Sequence, residues 1–160
     1  INRLEYNTHD VDKLLVETIN EARRISHDLK PPLLDFTDLD EIIENTINPW
    51  KSYLKISFYK AIFSGGSLSG EMKLQINRII QELMMNISKH SGASHVEIGL
   101  KITKNKIAII LQDNGRGFDF SKASKGLGMR NIELRVSYLN GLYKYKSKSV
   151  GMVSIFLFSY

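Results

Sequence analysis

The chain contains no cysteine, so disulfides and thiolate zinc sites are excluded, and a reducing cytoplasm is compatible with it. It has no apolar run near the roughly 18 residues that span a bilayer, and no signal peptide opens it. It begins at Ile1 rather than Met, which suggests a piece of a longer protein. The expectation is a cytoplasmic domain, joined to any membrane only through segments outside this chain. A concentrated basic surface is lacking as well. The net charge is +5, but the lysines are scattered, so nucleic acid is not an expected partner. The densest patch, Lys144, Lys146 and Lys148, alternates with Tyr143, Tyr145 and Ser147. That spacing puts the lysines on one solvated face of a strand.

What is present suffices for one domain and a short extra element: 160 residues, of which 42% are apolar and 24% charged. Residues 4–29 repeat apolar side chains at three- and four-residue steps, among them Leu4, Val11, Leu14, Leu15, Ile19, Ala22, Ile25 and Leu29, and so read as a helix. Pro31 and Pro32 stop it, since proline lacks an amide and restricts its predecessor. Thr37 or Asp38 can cap a second helix that ends at Pro49. The spacing then predicts a strand over 53–60, a Ser/Gly loop over 64–70, and a helix over 71–90. Strands follow over 94–104 and 106–112, the latter apolar enough to be central. A glycine-rich loop over 113–126 leads to a helix over 127–139, stopped by Asn140-Gly141. Strands over 142–148 and 151–159 complete the chain. This order gives an α+β fold, a two-layer sandwich with a mixed sheet covered on one face by helices. The division expected is 1–34 for the first helix and its linker, and 35–160 for the sandwich. Alone, the first helix exposes its apolar stripe, so a partner helix is expected.

Three segments carry chemistry. In Gln81 to Ser94, an α-helix puts Glu82, Asn86, Lys89 and His90 on one stripe beside the apolar stripe of Ile76, Ile80, Leu83 and Ile87. Carboxylate and amide oxygens suit Mg²⁺, and an ammonium with an imidazole suits phosphate. A polar helix face in solvent accounts for the same residues. The second segment, Asp113 to Phe118, follows the most apolar strand. Asp113 can accept from an amino group, and Gly115 and Gly117 allow a planar ligand close to the backbone. Asn114-Gly115 is equally a hairpin signal, although no alternating strand follows it. The third segment is Lys125 to Arg130, with Gly126 and Gly128 opening a helix whose free amides suit phosphate. It is not a Rossmann fingerprint, since Asn131 stands where the third glycine belongs, and there is no P-loop.

Taken in this order, the three segments resemble the N, G1 and G2 boxes of the GHKL superfamily of ATP-binding proteins. The wording Gln81-Glu82 to Asn86 to Lys89-His90-Ser91, with Gly92-Ala93-Ser94 following, is similar to sensor histidine kinases of two-component systems. Gly126-Leu127-Gly128-Met129-Arg130 and Asn131-Ile132-Glu133-Leu134-Arg135 are similar to the subfamily paired with LuxR/NarL-type response regulators, the HisKA_3 type. The resemblance runs from about Glu21 to Tyr160. It implies a Bergerat-type ATP-binding catalytic domain that uses ATP and Mg²⁺. By position, Asn86 would ligate Mg²⁺ and Glu82 would sit beside the metal or the attacking group. Lys89 and His90 would contact phosphates, and Asp113 would bind the adenine amino group beside Gly115, Gly117 and Phe118. Gly126, Leu127, Gly128 and Met129 would form the lid hinge and a phosphate contact. One departure stands out: Gly151 is followed by Met152 where the family carries threonine, so a water contact beside adenine is in doubt unless Ser154 supplies it.

Ser26-His27-Asp28-Leu29-Lys30-Pro31-Pro32-Leu33 also resembles the phospho-accepting box of the larger kinase subfamily. That box needs a long returning helix, however, and the 59 positions from His27 to Asn86 are already filled by other elements. The stretch fits better the end of the second dimerisation helix of the LuxR-paired subfamily. The acceptor histidine would then lie upstream of Ile1, and the chain would not phosphorylate itself. A response regulator and, in the full-length protein, a homodimer are the implied partners. An anti-sigma-type serine kinase or hydrolase of the same superfamily is argued against by the LKPPLLD ending. A non-catalytic interaction module is argued against by the retained Glu82, Asn86, Asp113 and glycines.

Overall fold

The computed structural model describes residues 32–63, 67–117, 127–147 and 150–160, with Thr18. The chain divides into two compact units, Ile1–Pro32 and Leu33–Tyr160. Apart from Thr18, the helix expected over 4–29 lies outside the described residues, as do His27, Phe118, Gly126 and Lys148.

A 3₁₀ turn, Pro32–Asp35, precedes helix α1, Leu39–Ile47, and a second 3₁₀ turn, Asn48–Ser52. Strand β1, Lys55–Ile62, leads to α2, Gly70–Asn86, which continues as a π turn, Ile87–Ser91. Strands β2, His95–Ile102, and β3, Lys106–Asp113, are followed by α3, Leu127–Tyr138, then β4, Leu142–Ser147, and β5, Met152–Ser159. The sheet order is β1-β2-β3-β5-β4, with β1 parallel to β2 and every other pair antiparallel. A parallel pair needs a long crossover, and α2 supplies it. The apolar strand expected at the centre is β3, third of the five.

The core lies between the helices and one sheet face. Alternation along β2 and β3 buries Val96, Ile98, Leu100, Ile107, Ile109 and Leu111, and these meet Ile43, Ile47, Ile76, Ile80, Leu83, Ile132 and Val136 from the helices. The other sheet face carries the alternate residues and stays open.

Three local details differ from the expectation. Asp38 occupies the N-cap position of α1 but makes no side-chain cap bond; Asp40 and Glu41 in the first turn complement the helix dipole instead. Ser69, expected in a loop, caps α2 by accepting from the Met72 amide at 3.2 Å. The helix expected to run to His90 is α-helical only to Asn86. In the π turn beyond it the chain advances at i→i+5, so Lys89 and His90 leave the α-helical stripe of Glu82 and Asn86. The C-terminus of α3 is as expected: Asn140 takes φ 50° and the Gly141 amide donates to the Val136 carbonyl at 2.9 Å.

Candidate functional site: three loops at the end of the central strand

Glu82 and Asn86 lie one turn apart near the end of α2, both half-buried. Gly128, in the first turn of α3, lies directly against them. A β-carbon at Gly128 would overlap Oε1 of Glu82 and lie 3.3 Å from Oδ1 of Asn86. The glycine therefore lets the N-terminus of α3, with its free amides, approach a carboxylate and an amide. Among the described residues Nδ2 of Asn86 is buried without a hydrogen-bond partner. A buried polar atom left unpaired costs about 1–3 kcal/mol, so this amide has capacity that a ligand can use.

The π turn ends at Gly92, in the left-handed region at φ 65°, and places Lys89 and His90 in solvent. Ser91 ties the turn to the loop after β3. Its hydroxyl donates to the Ile87 carbonyl at 2.9 Å and accepts from the Ala93 amide at 3.0 Å. Its carbonyl accepts from the Arg116 amide at 3.0 Å. Gly115 packs so tightly here that a β-carbon would come within 2.7 Å of the Ser91 β-carbon.

Asp113 ends β3 on the core side and is only 5% exposed. Its Oδ1 accepts from the Gly115 amide at 2.8 Å, which fixes the carboxylate at the floor of the loop. Gly151 closes the loop from the other side. Its amide donates to the Gly115 carbonyl, its φ is +84°, and a β-carbon would collide with the Asp113 carbonyl oxygen. Met152 sits directly opposite Asp113 in the β3–β5 register, and Ser154, opposite Leu111, is buried. Ser154 thus shares the Asp113 face of the sheet. Opposite Ser154 on β4 is Tyr145, whose phenol is pushed far above its usual range by burial, then by the negative Glu133.

The fold thus brings together Glu82, Asn86 and Gly128 in one group, and Asp113, Gly115 and Ser91 in another. Gly117, at φ +72°, continues the second loop. Leu127 is exposed at the start of α3, while the Met129 side chain is part of the core. Sequence reasoning missed Ser91 and Asn114. Oδ1 of Asn114 accepts from the Ser94 and His95 amides at 3.0 and 2.9 Å. The clue was available, since amides just after a helix ending in Gly92 need an acceptor. Among the described residues no three His, Asp or Glu side chains converge as a metal site. A cation here would rest on Glu82, Asn86 and oxygens of a ligand, which is the Mg²⁺ pattern.

No protein-family profile matches the chain. It is 32% identical over 139 residues to the sensor histidine kinase MctS of Rhizobium johnstonii, covering 83% of this chain and 30% of that protein. It is 28% identical over 141 residues to the histidine-protein kinase/phosphatase DegS of Brevibacillus brevis, covering 87% of this chain and 36% of DegS. The chain spans about a third of the length of these relatives. Among solved structures, the catalytic domain of histidine kinase ThkA superposes with a TM-score of 0.60 at 14% identity, over 77% of this chain and 94% of that one. The fold is therefore that of histidine kinase catalytic domains, the GHKL fold, and the sequence is similar to sensor histidine kinases. Within that class the sequence is similar to the HisKA_3 subfamily to which DegS belongs. No helix among the described residues is long and apolar enough to cross a membrane.

Proposed function

We propose that this chain binds Mg-ATP between α2, the loop after β3 and the N-terminus of α3, and presents the γ-phosphate to a histidine upstream of Ile1. Residues 1–34 form the end of a dimerisation helix and its linker, and 35–160 the catalytic domain of a homodimeric kinase. The phosphoryl group is then relayed to a LuxR/NarL-type response regulator. Membrane attachment, where it exists, lies outside the chain.

The observation that carries this reading is the closure of Gly128 onto Glu82 and Asn86, together with the buried Asp113 at the end of β3. Asp113 accepts the adenine amino group, and a buried carboxylate gives strong selectivity for a donor there. Gly115 and Gly117 leave room for the ring, and Phe118, outside the described residues, is assigned beside it by the resemblance alone. Asn86 and Glu82 hold Mg²⁺, which neutralises charge on the phosphate oxygens when bound. Leu127, Gly128 and Met129 supply backbone amides at a helix N-terminus to the phosphates, and Gly126, outside the described residues, is assigned to the same contact by the resemblance alone. Lys89 and His90, free in solvent, reach toward the same charge. Glu82 holds or orients the proton of the attacking imidazole. Catalysis is mainly positioning and charge stabilisation.

Calorimetric titration of the chain with non-hydrolysable ATP and GTP analogues tests this. ATP binding that exceeds GTP binding, with the preference lost in Asp113→Ala, supports it. Equal affinity for both nucleotides, or none, rejects the adenine assignment and favours a non-catalytic module with this fold.

A further inference from the structure

The sheet face away from the helices forms a grid in which one row reads Tyr59, Gly99, Ile110, Ile155, Lys144 across β1-β2-β3-β5-β4. The row above it is Ala61, Lys101, Ala108, Leu157, Leu142, and the row below is Ser57, Glu97, Gln112, Val153, Lys146. Three features of this face need an explanation that the nucleotide site does not give. Its centre is apolar and open: Ile110 and Leu157 are each 46% exposed, and Leu142 is 70% exposed. Its charge is one-sided: among the described strand residues it carries Lys55, Lys101, Lys106, Lys144 and Lys146 against the carboxylate of Glu97. Gly99 sits mid-strand between Tyr59, 62% exposed, and Ile110.

The glycine is the most telling of these. A β-carbon there would meet nothing nearer than the Ile110 carbonyl oxygen at 4.0 Å, and its backbone is ordinary strand. Among the described residues neither packing nor conformation requires glycine, which weakens a strand. The notch it leaves suits close approach by a group from outside.

We propose that this open face is a docking surface for an acidic partner protein, one that sets an apolar segment flanked by Asp or Glu across Ile110, Ile155 and Leu157 and into the notch at Gly99. Charge selects the occupant. A second copy would set five lysines against five, which opposes face-to-face pairing. An anionic lipid surface satisfies the lysines but has no use for a notch one side chain wide. An apolar centre with a charged rim is the usual anatomy of a protein interface.

The test places a photo-crosslinking benzoylphenylalanine at position 110 of the chain, and at Glu41 in the helix layer as control, in the cell that encodes it. Proteins captured only at position 110 are identified, purified and titrated against the chain. The expected result is an acidic contact segment whose affinity falls at least tenfold in Gly99→Val, while the melting temperature of that variant holds or rises. Lys144→Glu with Lys146→Glu loses affinity similarly and keeps the measurement decisive if Gly99→Val folds poorly. Three outcomes overturn the proposal: the same proteins captured at both positions, a captured protein that binds all variants equally, or sedimentation with phosphatidylglycerol vesicles in place of any protein. Loss of ATP binding in Asp113→Ala is a separate readout, so either reading can fail without the other.

Discussion

Gly128 lies against Glu82 so closely that a single methyl group on it would occupy the place of the Glu82 carboxylate oxygen. The two residues are 46 positions apart in sequence, and their contact draws the start of α3 onto the face of α2 that carries Asn86. A first prediction rests on it. Gly128 has no left-handed backbone to protect, and alanine is favoured over glycine inside a helix by about 0.5–1 kcal/mol. Gly128→Ala should therefore keep or raise the melting temperature while pushing the flexible end of Glu82 aside. Kinase turnover of the full-length protein carrying this change is expected to fall at least tenfold. A variant that is as active as the parent removes the contact from the mechanism.

Gly151→Ala should behave in the opposite way. Here φ is +84° and the obstructing atom is the Asp113 backbone carbonyl, which cannot swing aside. The left-handed strain alone is worth about 1–3 kcal/mol, and relieving the collision must shift Asp113. Denaturant unfolding should show a loss of at least that size, accompanied by weaker nucleotide binding.

A third prediction concerns pH. The Asp40 carboxyl is held below its usual 3.8, chiefly by the hydrogen bond from Lys60 at 2.8 Å. Its contribution to stability is present above that pH and is lost as pH falls through the lowered value. The Lys60 amine is raised above its usual 10.5 by Asp40 and Glu44, so its contribution is present below 10.5 and lost as pH rises through the raised value. Lys60→Met should melt slightly below the parent at pH 7. The gap should close below about pH 3.8, where Asp40 begins to protonate in the unfolded chain. A gap that persists at pH 2 points to packing rather than charge.

Capping gives a fourth. Ser69→Ala removes the acceptor for the Met72 amide and should cost about 1 kcal/mol, read as a lower denaturation midpoint with an unchanged slope. Nucleotide affinity should hold, because the cap lies at the far end of α2 from Asn86.

The elements of the second unit were legible because their causes are local. Alternation made β2 and β3 visible, apolar density put β3 at the centre, and Asn140-Gly141 marked the end of α3. The candidate site residues could be named from their types and order, but their contacts could not. Nothing local says that Ser91 receives Gly115, that Gly151 abuts Asp113, or that α2 loosens into a π turn after Asn86. These follow from where the sheet register and the packing of α2 on α3 bring distant segments together. The notch at Gly99 was equally hidden, since its meaning depends on the exposed neighbours that Tyr59 and Ile110 become in the sheet.

The most direct test of the central claim is the Mg²⁺ dependence of ATP-analogue binding, measured calorimetrically on the parent chain and on Asn86→Ala. The account predicts that Mg²⁺ tightens binding to the parent at least tenfold, about 1.4 kcal/mol, and that the tightening disappears in the variant while metal-free binding is retained. Equal Mg²⁺ dependence in both proteins would show that Asn86 does not hold the cation and would contradict the site described here.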